Sequence, residues 1–202
     1  MQKMKIEERA LELIAKPFIY FNVKPIQITI LSLFFAIIAS ILFYYSFFFF
    51  SLFFIFISFL LDAIDGYVAR KTNHVTSLGA FLDGVFDRIV EFLILLSLFL
   101  RFPSFSLQII IAMAFGTFLH SFLKCYAVYR KVLSEKDVEK YSEFEGLMPR
   151  RIRVIGIFIM ALFMIYDFFA FEFSWFFAFS TFFSFLYLFF KIVKKASGNE
   201  KR

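Results

Sequence analysis

Four aspartates stand in segments that are otherwise apolar: Asp62, Asp65, Asp83 and Asp87. Asp62 and Asp65 are three apart and Asp83 and Asp87 are four apart, so each pair occupies one face of a helix. The turn between the pairs is short, which makes the two helices antiparallel neighbours and lets the pairs meet at one depth. Carboxylates gathered there repel one another unless cations neutralise them. Hard oxygen ligands of this kind suit Mg²⁺, Mn²⁺ or Ca²⁺ rather than Zn²⁺, and two divalent ions balance four negative charges. Gly66 follows Asp62 by one turn and Gly79 precedes Asp83 by one turn; each removes a side chain where a ligand or a backbone must come close. Arg70, one turn beyond Gly66 on the same face, can grip a phosphate through two hydrogen bonds. Metal-holding carboxylates, a phosphate-gripping Arg and a further carboxylate are the parts of phosphoryl transfer.

The elements that must position these residues are membrane helices. The chain has 202 residues, 61% of them apolar and 37 of them Phe, against roughly 45–50% apolar in a soluble domain. Mean hydropathy is +0.81. The apolar runs are continuous, as from Ile41 to Leu61, which excludes the alternation of a transmembrane barrel. At about 20 apolar residues per crossing, the composition supplies about six spans, and they fall at 27–48, 50–70, 76–100, 106–129, 151–168 and 173–193. Ile6, Ala10, Leu13, Ile14 and Phe18 recur at helical spacing among Lys5, Glu8, Arg9, Glu12 and Lys16. That pattern predicts an amphipathic helix lying in the interface. The expected fold is therefore an all-α integral membrane protein: an interfacial helix at 1–24, a six-helix catalytic domain at 25–195 and a basic tail at 196–202.

Charge orients this layout. Under six spans, the N-terminal segment, the 71–75 turn, the 130–150 loop and the C-terminal tail share one side and hold nearly all the Lys and Arg of a chain with net charge +6. The opposite side has little beyond Arg101, Asp167 and Glu172. Lys and Arg stay inside, so both termini are expected in the cytoplasm of a multi-pass cell-membrane protein. The C-terminal Lys191, Lys194, Lys195, Lys201 and Arg202 then read as an anchor to anionic headgroups, and no nucleic acid is expected as a partner. The segment Met1 to Lys16 is too charged to form a signal-peptide core. Cys125 has no intrachain partner and reads as a small buried apolar residue in a helix.

Read in full, Asp62-x2-Asp65-Gly66-x2-Ala69-Arg70-x8-Gly79-x3-Asp83-x3-Asp87 resembles, at all eight fixed positions, the signature of the CDP-alcohol phosphotransferases, also called CDP-alcohol phosphatidyltransferases. The resemblance extends more loosely to the six-span layout, the interfacial helix and the length. It implies an enzyme that transfers a substituted phosphate from a CDP-linked lipid donor to an alcohol, releases CMP, uses two divalent cations, Mg²⁺ or Mn²⁺, and works as a homodimer. By motif position it implies that Asp62, Asp65 and Asp83, with Asp87, hold the metals and that Gly66, Ala69, Arg70 and Gly79 line the CDP pocket. It also places Asp87 as the base at the acceptor hydroxyl. Asp87 lies deepest along its helix from the turn, which agrees with that division. One departure is visible: many members resemble Pro-Asn-x-x-Thr at the start of the first span, whereas here Pro25-Ile26-Gln27-Ile28-Thr29 has Ile26 in place of Asn.

The acceptor is read from basic residues. Arg150 and Arg153 open the fifth span with Arg151 between them, Lys124 lies within the fourth, and Arg88 adjoins Asp87. A basic pocket facing the metals fits an acceptor that carries its own phosphate. The stretch Ser121-Phe122-Leu123-Lys124-Cys125-Tyr126, with Arg150-x-x-Arg153 and Leu78-Gly79-Ala80-Phe81-Leu82-Asp83, resembles the phosphatidylinositol-phosphate and archaetidylinositol-phosphate synthase branch. That implies inositol 1-phosphate as the phosphorylated acceptor, with Lys124, Arg150 and Arg153 on its phosphate. Glycerol-3-phosphate would want a similar pocket, and a CDP-inositol donor is compatible with the same residues. Intramembrane carboxylates also mark cation transporters, but a carrier would spread them along a path, and here they gather at one end of two helices. Neither His74 nor His120 is expected to be catalytic.

Overall fold

The computed structural model describes residues 2–134 and 148–199, with side chains described over 11–134 and 148–197. The side chains of Lys5, Ile6, Glu8, Arg9 and Ala10, the loop charges from Glu135 to Glu145, and Lys201 and Arg202 lie outside the described residues. Every described element is helical: α1 (Gln2–Tyr20), α2 (Pro25–Tyr44), α3 (Phe48–Lys71), α4 (Ser77–Arg101), α5 (Pro103–Tyr129), α6 (Arg150–Tyr166) and α7 (Ala170–Asn199).

The all-α membrane architecture holds, but the expected six spans do not all qualify. Among the described residues, four helices are long and apolar enough to cross a membrane: Pro25–Tyr44, Phe48–Lys71, Pro103–Tyr129 and Ala170–Ser197. The two that fall short are α4, which carries Asp83, Asp87, Arg88 and Glu91 along its length, and α6, which has only 17 residues and opens on Arg150, Arg151 and Arg153. In the four apolar windows only 33–39% of the residues are buried. Phe34, Phe49, Phe53, Phe56, Phe176 and Phe183 face outward, an apolar surface far beyond what a soluble monomer exposes.

The chain folds as two compact units, residues 1–97 and 98–202. In the first, α2 and α3 form a tight antiparallel hairpin turned at Tyr45–Phe47, with Ser46 in the left-handed region at φ 68°. Small residues recur along the seam, at Ser32, Ala36, Ala39, Ser51 and Ser58, and let the backbones approach closely there. Ser32 Oγ donates to the Ser58 carbonyl at 2.8 Å and Ser51 Oγ donates to the Ala39 carbonyl at 2.8 Å. The two pairs are symmetric about Tyr45, which fixes the register of the hairpin. Buried Ala15 of α1 joins Ile28, Leu61, Ile64 and Val68 in one core cluster. Leu13, Ile14, Tyr20 and Phe21, in and just after α1, remain exposed.

In the second unit α5 is not a uniform rod. It opens with a 3-10 turn at Pro103–Phe105 and winds as a π-helix over Ala112–Leu119 before returning to α-helical form at His120. Helices α6 and α7 touch where Gly156 lies flat against Phe177; a Cβ on Gly156 would run into the Phe177 ring. Overpacking of this kind costs about 1–3 kcal/mol. Gly156→Ala is therefore expected to lower the thermal unfolding midpoint in detergent, and an unchanged midpoint would show that the ring has room to turn.

Candidate functional site

The site residues of the first unit are held by how α3 stops and α4 starts. Helix α3 ends at Lys71, Asn73 turns left-handed at φ 55°, and the His74 N–H donates to the Ala69 carbonyl at 3.0 Å, closing the helix end. Thr76 then caps α4: its Oγ1 accepts from the Gly79 N–H at 3.0 Å. The reversal is thus complete within Thr72–Thr76, and the motif residues on either side return to a common depth. A Cβ on Gly79 would stand 3.0 Å from the same Thr76 hydroxyl, so glycine here keeps the cap close.

The structure brings Asp62, Asp83 and Asp87 together. One carboxylate oxygen from each lies within 4.8 Å of the others, with Asp87 buried and the other two half-buried. Asp65 stands outside this trio but within electrostatic reach of Asp62 and Asp83. It is 4% exposed, its carboxyl interacts with Thr29 of α2, and its Oδ2 is buried with no hydrogen-bond partner. Thr29 itself donates to the Pro25 carbonyl at 3.1 Å. Burying an unpartnered carboxylate oxygen beside other carboxylates is costly without a cation, and an all-oxygen donor set is what a hard dication takes. These residues therefore fit a divalent metal centre.

Around the carboxylates, Arg70 folds back along α3 so that a Cβ on Gly66 would sit 3.4 Å from its Nη1. Glycine leaves the guanidinium lying over bare backbone, with its outer face exposed. Ala69 is half-buried beside it. A residue that the spacing argument passes over is Glu91, four after Asp87 and fully buried. Arg88 Nη1 donates to Glu91 Oε1 at 3.0 Å, so this guanidinium is engaged by a carboxylate on its own helix. The signal was present in the sequence, since Glu91 is a fifth acidic residue in the same apolar region. Thr29 is the Thr of the Pro-x-x-x-Thr stretch at the start of the first span, whereas Thr76 carries no such signal; hydroxyls at helix starts are common.

The basic residues expected at the acceptor belong to the second unit. Lys124 is half-buried on α5; Arg150, half-buried, and Arg153, 3% exposed, lie on the first turn of α6. Arg153 Nη1 points to the Met148 carbonyl at 3.4 Å. His120 is buried within α5 and His74 is exposed in the turn, while Cys125, expected to be buried, is exposed on α5.

A family profile described as CDP-alcohol phosphatidyltransferase matches residues 22–186. An archaetidylinositol phosphate synthase of Pyrococcus horikoshii is 29% identical over 160 residues, covering 77% of this chain and 78% of that protein. A second, from Aeropyrum pernix, is 34% identical over 117 residues, covering 58% and 55% respectively. The crystal structure of Mycobacterium tuberculosis phosphatidylinositol phosphate synthase with CDP-DAG bound superposes with a TM-score of 0.74 at 20% identity, covering 91% of this chain and 94% of that one. At that identity the likeness is one of fold.

Proposed function

The chain belongs to the CDP-alcohol phosphatidyltransferase family, and on that premise we propose that it moves a lipid-linked phosphate from a CDP-lipid to a hydroxyl of inositol 1-phosphate, releasing CMP. The observation that carries this reading is the meeting of Asp62, Asp83 and Asp87 from two helices within 4.8 Å at the motif spacing. The phosphorylated acceptor is supported by the basic residues Lys124, Arg150 and Arg153 and by the names of the two archaeal relatives. The layout that goes with it has six spans, α1 in the inner interface and both termini cytoplasmic.

Asp62, Asp65, Asp83 and Asp87 would hold two divalent cations, Mg²⁺ or Mn²⁺. Such ions neutralise phosphate oxygens and stabilise the charge on the leaving group. The chain's own residues do the rest. Gly66 and Gly79 leave room for the CDP moiety beside Ala69. Arg70 pairs with donor phosphate, and its planar fork fixes the phosphate's orientation as well as its charge. Lys124, Arg150 and Arg153 take the acceptor's phosphate, which carries close to two negative charges near neutral pH. Asp87 accepts the hydroxyl proton as the acceptor oxygen bonds to the lipid-linked phosphorus. The bond from that phosphorus to the bridging oxygen of CMP breaks, and CMP leaves with the electron pair. A buried carboxylate reaching one hydroxyl acts on the proton of that hydroxyl and not on the donor.

Three outcomes test this. Crystals soaked in Mn²⁺ should show two anomalous peaks at the aspartates, about 3.5–4 Å apart as in other two-metal sites; a single peak elsewhere would refute the arrangement. Asp87→Asn should abolish turnover while CDP-donor binding is largely retained, because a base contributes to the transition state and little to the ground state. Loss of donor affinity along with activity would make Asp87 a metal ligand first. CMP release with a CDP-lipid should be fastest with inositol 1-phosphate among inositol 1-phosphate, free inositol, glycerol-3-phosphate and serine. Preference for free inositol or serine would sink the phosphate pocket, and preference for glycerol-3-phosphate would keep the pocket and change the product.

A further inference from the structure

Arg153 is held in a way that no motif announces. Its side chain is 3% exposed, unusual for an arginine, and it is packed within the second unit. Its aliphatic stem passes Gly116 on α5: a Cβ on that glycine would lie 3.4 Å from Arg153 Cδ, 3.1 Å from Thr181 Cγ2 and 3.4 Å from Thr181 Cβ. Gly116 sits inside the π-helical stretch Ala112–Leu119, a winding that is rare and concentrated at functional sites. The far end of the side chain is fixed separately. Arg153 Nη1 points to the Met148 carbonyl at 3.4 Å, and the Met148 N–H donates to Ser184 Oγ at 3.1 Å. Thr181 and Ser184 are both buried and three apart, so one face of α7 lies against Gly116 and holds the Met148 N–H.

We propose that Gly116 is a positioning residue for the acceptor: the bare π-helical backbone at 116, together with Thr181, sets the path of the Arg153 stem and so aims its guanidinium at the acceptor's phosphate. This rests on the assignment of Arg153 to that phosphate. The physical reasoning is one of pre-organisation. An arginine free in solvent loses much rotamer freedom when it grips a ligand, whereas one already threaded along a fixed path loses little. The glycine therefore acts on acceptor affinity and leaves the reacting groups alone. A methyl at 116 is crowded by the Thr181 methyl at 3.1 Å and already stands at contact distance, 3.4 Å, from Arg153 Cδ, so a shift away from Thr181 falls on the arginine stem. The guanidinium lies further along the side chain, so a small shift at Cδ is enlarged where the phosphate is held.

The test is steady-state kinetics of the full-length enzyme in detergent or vesicles, with CDP-lipid and inositol 1-phosphate varied in turn. Gly116→Ala should raise the acceptor KM by about two- to tenfold, the range that an off-rotamer side chain produces, with kcat and donor KM close to wild type. Gly116→Val should raise it further. Adding Thr181→Ser to Gly116→Ala deletes the crowding methyl, keeps a hydroxyl for the Ala178 carbonyl, and should bring the acceptor KM back toward wild type. The inference is overturned if Gly116→Ala leaves the acceptor KM unchanged, if both substrate constants rise together with a lowered thermal midpoint, or if Thr181→Ser gives no recovery. Arg153→Ala separates the two levels. If that change leaves the acceptor KM alone, the assignment of Arg153 fails; if it raises KM while Gly116→Ala does not, only the positioning role fails.

Discussion

The first unit is organised around carboxylates that must be kept together in apolar helices. Two unit charges at 4.8 Å, the limit among Asp62, Asp83 and Asp87, repel by roughly 3.5 kcal/mol at an effective dielectric of 20. Three such pairs, with Asp65 adding to them, amount to a substantial part of the stability of an ordinary domain. Left to itself the cluster would splay or take up protons. It persists because the backbone that carries it is over-determined: α3 is locked to α2 by serine-to-carbonyl bonds at two levels, and the α3–α4 reversal is closed by Asn73 at one end and by the Thr76 cap at the other. A rigid frame that holds like charges together has stored affinity for cations, which is what a metal-dependent reaction needs before its substrates arrive.

The same frame explains where the packing is small and where it is large. Ser, Ala and Thr recur along the buried faces of α2 and α3, between larger residues such as Phe43 and Ile55, while most of the Phe side chains of these helices crowd the outer surface. In lipid the outer face gains nothing by being covered, so the helices are held by close backbone approach and by hydroxyl groups with no water to compete for them. Ser32, Ser51 and Ser58 are therefore structural residues, and their register sets the height at which Thr29 meets Asp65. Glu91 and Arg88 follow a related rule one turn beyond Asp87. A fully buried carboxylate needs a partner, and pairing within one helix supplies it without drawing on the site's other cations.

The sequence made the chemistry legible because that chemistry depends on spacing. Asp62 with Asp65, Asp83 with Asp87, and the two glycines are related by helical turns, and helical turns are the one geometry that can be read directly from residue number. The all-helical membrane class followed from continuous apolar runs. What spacing does not encode is which of several carboxylates on a face turns inward. Asp65 departs from the trio toward Thr29 because α3 presents that side to α2, a fact of helix rotation and packing. Four of the described helices are long and apolar enough to cross a membrane by themselves, against six apolar segments in the sequence, for a similar cause: α4 carries Asp83, Asp87, Arg88 and Glu91 and α6 opens on three arginines, and composition alone does not say how such charges are paired. The π-helix at Ala112–Leu119 left no mark either, since its residues have the ordinary composition of a membrane helix.

Reaction and acceptor choice accordingly make different demands on the chain. Transfer from a CDP-lipid requires oxygen ligands at fixed mutual distances, and only a few residue types at a few spacings will do. Holding an acceptor's phosphate requires positive charge in the right direction, and Arg or Lys on many helices could provide it. The direction then depends on what the long side chain leans against, here Gly116 and Thr181 for Arg153. A guanidinium keeps its charge when taken out of water, where a buried ammonium readily loses its proton, so an arginine can be packed as deeply as Arg153 and still meet a dianion. On the proposed reading, acceptor specificity resides in the packing beneath a charged group, where a single methyl counts, while the reaction itself resides in the pattern of the motif.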